Sequence, residues 1–441
     1  MARDQNPIGD SVIKFILAAR SRDYPAEVIE AARMCLADWA GVAIGAAGES
    51  PGTIARDAMH EPGPAMLMSG GAASRPTAAL INGTLAHTLD FDDTHVASLT
   101  HISGPTWAAT LALAATPGAE NGSLLGAFIT GFEVGARLGS GIGPALLERG
   151  VHATAAGCAL LGLDETQTAN ALGLAATQAG GLTLSFGTMA KPFHAGKAAM
   201  NAVIAVQLAR AGFTASHEVF DSPKGLAAAL IQDRSLSFSP ISTERWQILQ
   251  NTFKPYAACL LTHASIDCAR KISATLGDDA VERVVANVHP LAIQLAGKRQ
   301  PRTPLEGKFS LDFCIALGLA GYAASAADFS NARLQDVRLR QIAERIELKA
   351  DSSLRETAAR LSVTSQIGAR HEAETQFALG NPENPMQWSD MKEKFIALTE
   401  PRLGRSAGEL FGRLRTVNRA ADIADIARYC EPNNAGLNAA E

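Results

Sequence analysis

Residues 10–45 read as two helices, the second placing Val28, Ile29, Ala32, Leu36, Trp39 and Ala43 on one apolar face at helical spacing. Pro25 sits where that helix can start, because its missing N–H would have no helical partner there in any case. Gly41 and Gly45 leave room for another helix to approach closely. Thr77–Ala86, Thr106–Ala115, Leu124–Leu138 and Thr166–Ser185 are predicted as further buried helices, the third carrying Glu133 in apolar company. After residue 268 the period changes. Val284–His289 alternates as a strand ending at Pro290, and Arg360–Thr364 with His371–Phe377 reads as a hairpin through Gly368. Asn381–Pro385 is a turn-rich crossing, Ser389 is expected to cap a returning helix, and residues 395–441 go back to helical spacing, with a disordered tail after Pro432. The pattern predicts a mainly α protein with a smaller α+β domain. Residues 1–268 and 395–441 would form one discontinuous helical domain, residues 269–394 the α+β domain, with a cleft between them.

Composition narrows the class. Hydrophobic residues make up 47% of the chain but aromatics only 5%, so the core must be built from Ala, Leu, Ile and Val, which suits close helix packing. A net charge of −5 leaves no basic face for nucleic acid. The six cysteines are scattered without a CxxC pair, which argues against a zinc ribbon, a cysteine-held iron–sulfur cluster or a secreted disulfide scaffold. The N-terminus does not read as a signal peptide and no apolar run reaches membrane-spanning length, so a cytoplasmic enzyme with no membrane partner is expected.

Three polar stretches interrupt this apolar background. His87 to Pro105 holds three histidines and the aspartates Asp90, Asp92 and Asp93, dense for a chain with 19% charged residues. Its flanks are predicted to be buried, so these groups must be paired, bound to a ligand or shifted in pKa. Aspartates capping a helix end are the simpler alternative. The second stretch places Lys191 before Pro192, which biases it to an extended conformation. Gly196 and Ala198–Ala199 would start a helix behind it. A cation at such a junction favours a bound carboxylate, although a solvated surface lysine would fit the same sequence. In the third stretch Lys254 again precedes a proline, and His263 lies four residues before Asp267, so an imidazole–carboxylate pair, structural or catalytic, could form on one helix face.

These stretches resemble the MmgE/PrpD family. His87–Thr94 matches its His-x-x-Asp-[Phe/Tyr]-Asp-Asp-Thr segment, and Thr100–His101 its following Thr-His step, with Ile102 in place of the usual proline and a slightly longer spacer. Gly150–Thr154 matches Gly-x-His-x-Thr, Lys191–Ala199 matches Lys-Pro-x-His-x-Gly-x-Ala-Ala, and Lys254–His263 matches Lys-x-Tyr-x-x-Cys-x-x-Thr-His. Gly307–Leu311 is similar to the start of the family's lid helix, with Phe313 where a tyrosine is common. Cys259 stands where another branch has a histidine, and the helix after His152 is shorter by about two turns. The resemblance implies a large helical domain with an α+β lid, a homodimer, and a small polycarboxylate as substrate. It implies 2-methylcitrate-type dehydration first, with cis-aconitate decarboxylation or iminodisuccinate epimerisation as alternatives. All of these make or protonate a carbanion beside a carboxylate, which calls for flanking cations and a positioned acid–base group. On that basis Lys191 and Lys254 are carboxylate clamps, and His101 and His152 move protons. Asp90 fixes an imidazole or acts as a base, Thr94 donates to a substrate oxygen, and Tyr256, Cys259 and His263 line the substrate site. Neither an organic cofactor nor a metal is required.

Other readings weigh less. Asp90-Phe91-Asp92-Asp93 also fits the acid motif of class II terpene cyclases, but the aromatic supply is poor for a carbocation cavity. A non-catalytic family member would fit the shortened helix. Asp92, Asp93 and His95 offer hard and borderline ligands to a metal.

Overall fold

A computed structural model describes residues 7–142, 150–230, 241–277 and 280–430. The N-terminal region runs through α1 Pro7–Leu17, α2 Ala26–Gly45 and α3 Ser50–Met59 to a pair of two-residue strands, β1 Ala65–Met66 and β2 Ala72–Ala73. Beyond them lie α4 Arg75–Thr88, the short β3 Thr94–His95, α5 Ser103–Ala114, α6 Leu124–Ile142, α7 Val151–Leu161, α8 Glu165–Thr177, α9 Ala190–Arg210 and α10 Leu226–Leu230. Local chemistry starts these helices where it should. Ser74 caps α4 by accepting from the Thr77 N–H, and Asp164 and Gln167 form a reciprocal capping box at α8.

Small residues decide how the helices meet. α4 and α9 cross at Gly83 and Gly196. A Cβ on Gly83 would sit 2.9 Å from the Gly196 Cα, and one on Gly196 would overlap the Thr84 hydroxyl and the Leu80 carbonyl. This crossing brings the first turn of α9, with Lys191, into the interior.

The chain then forms β4 Asn251–Thr252, α11 His263–Leu276, β5 Val281–Val288, and the short helices α12 Pro290–Ala296 and α13 Pro304–Gly307. Next come α14 Leu311–Leu319, α15 Asn331–Leu334, α16 Val337–Glu344, β6 Ile346–Ala350, β7 Ala359–Ser365 and β8 Arg370–Thr375. The four-stranded sheet has the order β6-β5-β7-β8, with β5 parallel to β6 and antiparallel to β7. β7 and β8 make the expected hairpin, and Gly368 supplies the left-handed residue of its turn. Leu361 and Val363 of β7 point into the core under α11, while the intervening residues face outward. The last helices are α17 Trp388–Leu403, α18 Ser406–Leu414 and α19 Ile423–Cys430. α17 returns to the first region and lies on α2, where Phe395 and Leu398 fill the space left by Gly41 and Gly45.

Several element limits differ from expectation. α8 ends at Thr177 rather than running to Ser185, because Gly180 and Gly181 come next, the latter at φ 142°. Ser389 lies inside the first turn of α17, which is capped instead by Gln387 with Asp390. The positions 268/269 and 394/395 fall within α11 and α17, so neither is a break between elements. The tail after Pro432 lies outside the described residues. Among the described residues, no helix is long and apolar enough to cross a membrane.

The α4–α9 crossing makes a measurable prediction. Gly196→Ala should cost about 1–3 kcal/mol in a denaturant titration, because neither the Leu80 carbonyl nor its helix can give way cheaply. Gly408→Ala on α18, where a Cβ meets nothing within 4 Å, should be neutral or slightly stabilising.

Candidate active site

α4 ends at Thr88, and the chain turns into Leu89–Asp93 with Asp90 in the left-handed region at φ 49°. That conformation is tolerated by few side chains, and a short polar one is the best among them. Four buried lysines hold this loop. Lys308 Nζ donates to the carbonyls of Leu89 (2.6 Å) and Ala257 (2.9 Å). Lys191 donates to Asp90 Oδ1 at 2.7 Å, and Lys254 donates to the same oxygen at 3.2 Å and to the Asp90 carbonyl at 3.0 Å. Lys394, from α17, donates to the Phe91 carbonyl (2.6 Å) and to Asp38 Oδ1 (2.5 Å). Burial alone would push the Asp90 carboxyl up, but Lys191 and Lys254 more than reverse this and hold it below the usual carboxylate range. Asp90 Oδ2 is buried and accepts no hydrogen bond among the described residues.

Asp92 faces the other way and binds two imidazoles. His87 Nδ1 lies 3.0 and 2.9 Å from its two oxygens, and His101 Nδ1 lies 3.1 Å from Oδ2. The two rings meet edge to face with centroids 4.4 Å apart. His101 Nδ1 is also 3.1 Å from the Asp93 carbonyl and 3.3 Å from the Thr94 hydroxyl. With a carboxylate and a carbonyl around it, Nδ1 carries the proton and Nε2 keeps its lone pair. Burial lowers His101 to about 4 although Asp92 pulls the other way, so the ring is neutral at pH 7. Asp92, opposed by burial, is drawn well below the usual range by the two histidines.

Asp93 braces this arrangement from behind. Its side chain accepts from Ser103 and Asn251, its N–H donates to Asp38, and burial together with the Asp38 charge raises its carboxyl. β3 pairs with β4, Thr94 opposite Thr252 and His95 opposite Asn251, which brings Lys254 to the loop from the far side. The Phe186 and Phe309 rings flank the Lys191 ammonium at 5.4 and 5.2 Å, shielding it from solvent.

The expected residues therefore divide. Asp90, Thr94, His101, Lys191 and Lys254 come together. His101 takes Asp92 as its carboxylate, while Asp90 serves the lysines. Lys191 is helical rather than extended: the tertiary pull toward Asp90 outweighs the bias imposed by Pro192, whose missing N–H costs little in a first turn. His263 and Asp267 do not pair. Asp267 accepts from the Tyr256 hydroxyl, while His263 Nε2 meets the Ala258 carbonyl at 3.1 Å and burial lowers that ring to about 3. Cys259 lies near Asp90, and burial and that charge both raise its thiol. His152 is buried in the first turn of α7 and presses on Gly135 of α6 beside Ile102. It lines a cavity of about 20 Å³ with Thr100 and Leu226, room for roughly one water.

His87, Lys308, Lys394 and Asp38 join the cluster without having been expected there, and Asp92, expected only as a possible metal ligand, binds the two imidazoles. The five-residue spacing of His87 and Asp92 across a helix end was a usable signal, but Asp38 and Lys394 are 356 residues apart and leave no local trace. Among the described residues, the side chains with metal-ligand spacing are His87, Asp92 and His101, not Asp92, Asp93 and His95. His95 Nδ1 is instead engaged by Ser98 at 2.8 Å. N–H to carboxylate hydrogen bonds already account for the spacing in the first set.

Nitrogen NMR should find His101 neutral, with the proton on Nδ1, at pH 6 and protonating only near pH 4. Asp92 raises this pKa, so Asp92→Asn should move the titration lower still. A His101 that titrates near 6.5 in the wild-type protein would contradict the geometry.

Two family models match the chain, the MmgE/PrpD N-terminal domain over residues 10–239 and the MmgE/PrpD C-terminal domain over residues 256–417. Cis-aconitate decarboxylase of Homo sapiens is 26% identical over 378 residues, covering 79% of this chain and 77% of that protein. The Mus musculus cis-aconitate decarboxylase is 25% identical over 379 residues, with 79% and 76% covered, and the Aspergillus terreus (strain NIH 2624 / FGSC A1156) cis-aconitate decarboxylase is 25% identical over 348 residues, with 70% and 71% covered.

Proposed function

Because the chain belongs to the MmgE/PrpD family, we propose that it is a lyase acting on a small di- or tricarboxylate, with proton transfer at the carbon next to a carboxylate. One observation carries this reading. Two lysine ammonium groups converge on a single carboxylate oxygen, Asp90 Oδ1, beside a histidine that is neutral and held by a second carboxylate. A substrate carboxylate entering there would share the two cations with Asp90, and its neighbouring C–H would meet a base rather than an acid. Negative charge that develops on the α-carbon is then spread toward Lys191 and Lys254 in a site with little water.

Dehydration of a 2-methylcitrate-like hydroxy acid is the leading finer reading. His101 Nε2 takes the α-proton, the C–H electron pair forms the double bond, and the hydroxyl leaves as water with a proton from Lys308, whose ammonium burial lowers to about 8. Asp90 Oδ2, buried and without a donor among the described residues, supports a substrate that brings a hydroxyl to it. The second reading is decarboxylation of a cis-aconitate-like acid, supported by the names of the relatives. There the C–CO₂ bond breaks and the resulting carbanion must be protonated. A histidine at about 4 is a poor acid at pH 7, so the proton would come from a lysine, and Lys308, lowered by burial to about 8, is the best matched.

Product analysis of 2-methylcitrate and cis-aconitate in D₂O separates the readings. Loss of water, with deuterium exchanging into one α-carbon of the recovered 2-methylcitrate, supports the first, and release of CO₂ from cis-aconitate, with one deuterium taken up by the product, the second. Turnover of neither would sink both. On the true substrate, Lys191→Met should chiefly raise KM, whereas His101→Asn should lower kcat by roughly 10²–10⁴-fold. Since the base must be neutral, kcat/KM should stay level from pH 7 down to about 5 and fall as the pH drops through about 4. Dialysis against EDTA should leave the rate unchanged; loss with recovery on adding a divalent ion would assign His87, Asp92 and His101 to a metal instead.

A further inference from the structure

Glu133 plays no part in the chemistry above, yet it sits fully buried on α6 between the apolar Phe132 and Val134. A leucine would pack there without losing the hydration of a carboxyl group, which burial pushes up to about 7, so the polar group must return something specific. Its Oε1 accepts the Ile248 N–H at 2.9 Å, and the Gln247 N–H also faces it. These amides open the 3₁₀ turn Gln247–Gln250, where helical N–H groups have no partner within the turn. One turn further along α6, Arg137 donates to the carbonyls of Ser242 (3.2 Å) and Arg245 (2.9 Å). α6 thus grips one connecting segment at its carbonyls and then at its amides.

That segment leads straight into the site. β4 begins at Asn251, directly after the turn, and pairs with Thr94 and His95. The Asn251 side chain reaches Asp93, and Lys254 reaches Asp90. A strand of two residues is too short to fix its own register, and a slip of one residue would turn Asn251 away from Asp93 and carry Lys254 off Asp90. We propose that Glu133 is a positioning residue which sets the backbone register of residues 247–254 and thereby the placement of the Lys254 ammonium. This rests on the reading of Lys254 as a carboxylate-binding group.

Two measurements test it, one without ligand. Glu133→Leu removes the acceptor and keeps the bulk, while Glu133→Gln keeps an acceptor oxygen. Hydrogen exchange over residues 247–254 should quicken at least ten-fold in Glu133→Leu, and stay within about three-fold of wild type in Glu133→Gln and in Lys254→Met. Titration with citrate by calorimetry should show at least ten-fold weaker binding in both Glu133→Leu and Lys254→Met. The double variant should be no weaker than Lys254→Met alone, because Glu133 acts through that lysine. A merely structural carboxylate would give effects that add in full, and that result would overturn the proposal. So would unchanged exchange in Glu133→Leu, or a Glu133→Gln variant as impaired as the leucine. Should Glu133→Leu not fold, Glu133→Ala, which admits water to the amides, takes its place with the same expected outcomes. If Lys254→Met binds citrate like the wild type, the carboxylate-binding reading of Lys254 fails, while the exchange data still decide whether Glu133 holds the segment.

Discussion

The loop Leu89–Asp93 can exist in its observed form only while four ammonium groups surround it. Taking an ion out of water costs several kcal/mol, so each of these lysines is tolerable only where it meets carboxylates and carbonyls at close range. Asp90, Asp38 and the carbonyls of Leu89, Asp90, Phe91 and Ala257 supply those partners. The dependence is mutual. Asp90 sits at a positive φ, and its carbonyl and carboxylate would be stranded without Lys191 and Lys254. Breaking one member of such a network leaves a buried charge uncompensated, which is why the cluster behaves as a unit.

The lysines come from distant parts of the chain: the first turn of α9, the segment after β4, the C-terminal end of α13 and the returning α17. The site is therefore complete only when the C-terminal region has folded against the N-terminal helices. Small residues make this closeness available. Gly83 with Gly196 lets α9 deliver Lys191, and Gly41 with Gly45 lets α17 deliver Lys394. An alanine-rich chain poor in aromatics is what such close crossings require.

Polarity within the site is divided by direction. Asp90 faces the cations and Asp92 faces the imidazoles, so two carboxylates two residues apart do different work. The loop's turn separates them, and each is drawn below its ordinary range by its own partners. Asp93, facing Asp38 rather than a cation, is pushed the opposite way. Environment alone thus holds two of three neighbouring aspartates ionised and pushes the third toward protonation.

By itself the sequence determined the helical N-terminal region, the β7–β8 hairpin through Gly368 and the return of the chain to helix, and the motifs that carry the family resemblance named Asp90, Thr94, His101, Lys191 and Lys254, side chains that the fold brings together. These are legible because periodicity, turn chemistry and short motifs are local properties. The pairing of those groups was not. A spacing of four residues permits His263 and Asp267 to meet, but Ala258 and Tyr256 compete for them and win. The proline after Lys191 argues for an extended backbone, yet burial against Asp90 holds it in a helix. Which aspartate serves His101, and that Asp38 and Lys394 complete the network across 356 residues, was decided by tertiary structure, because a buried charge takes whatever partner the packed chain brings within reach, and local sequence carries no record of that distance.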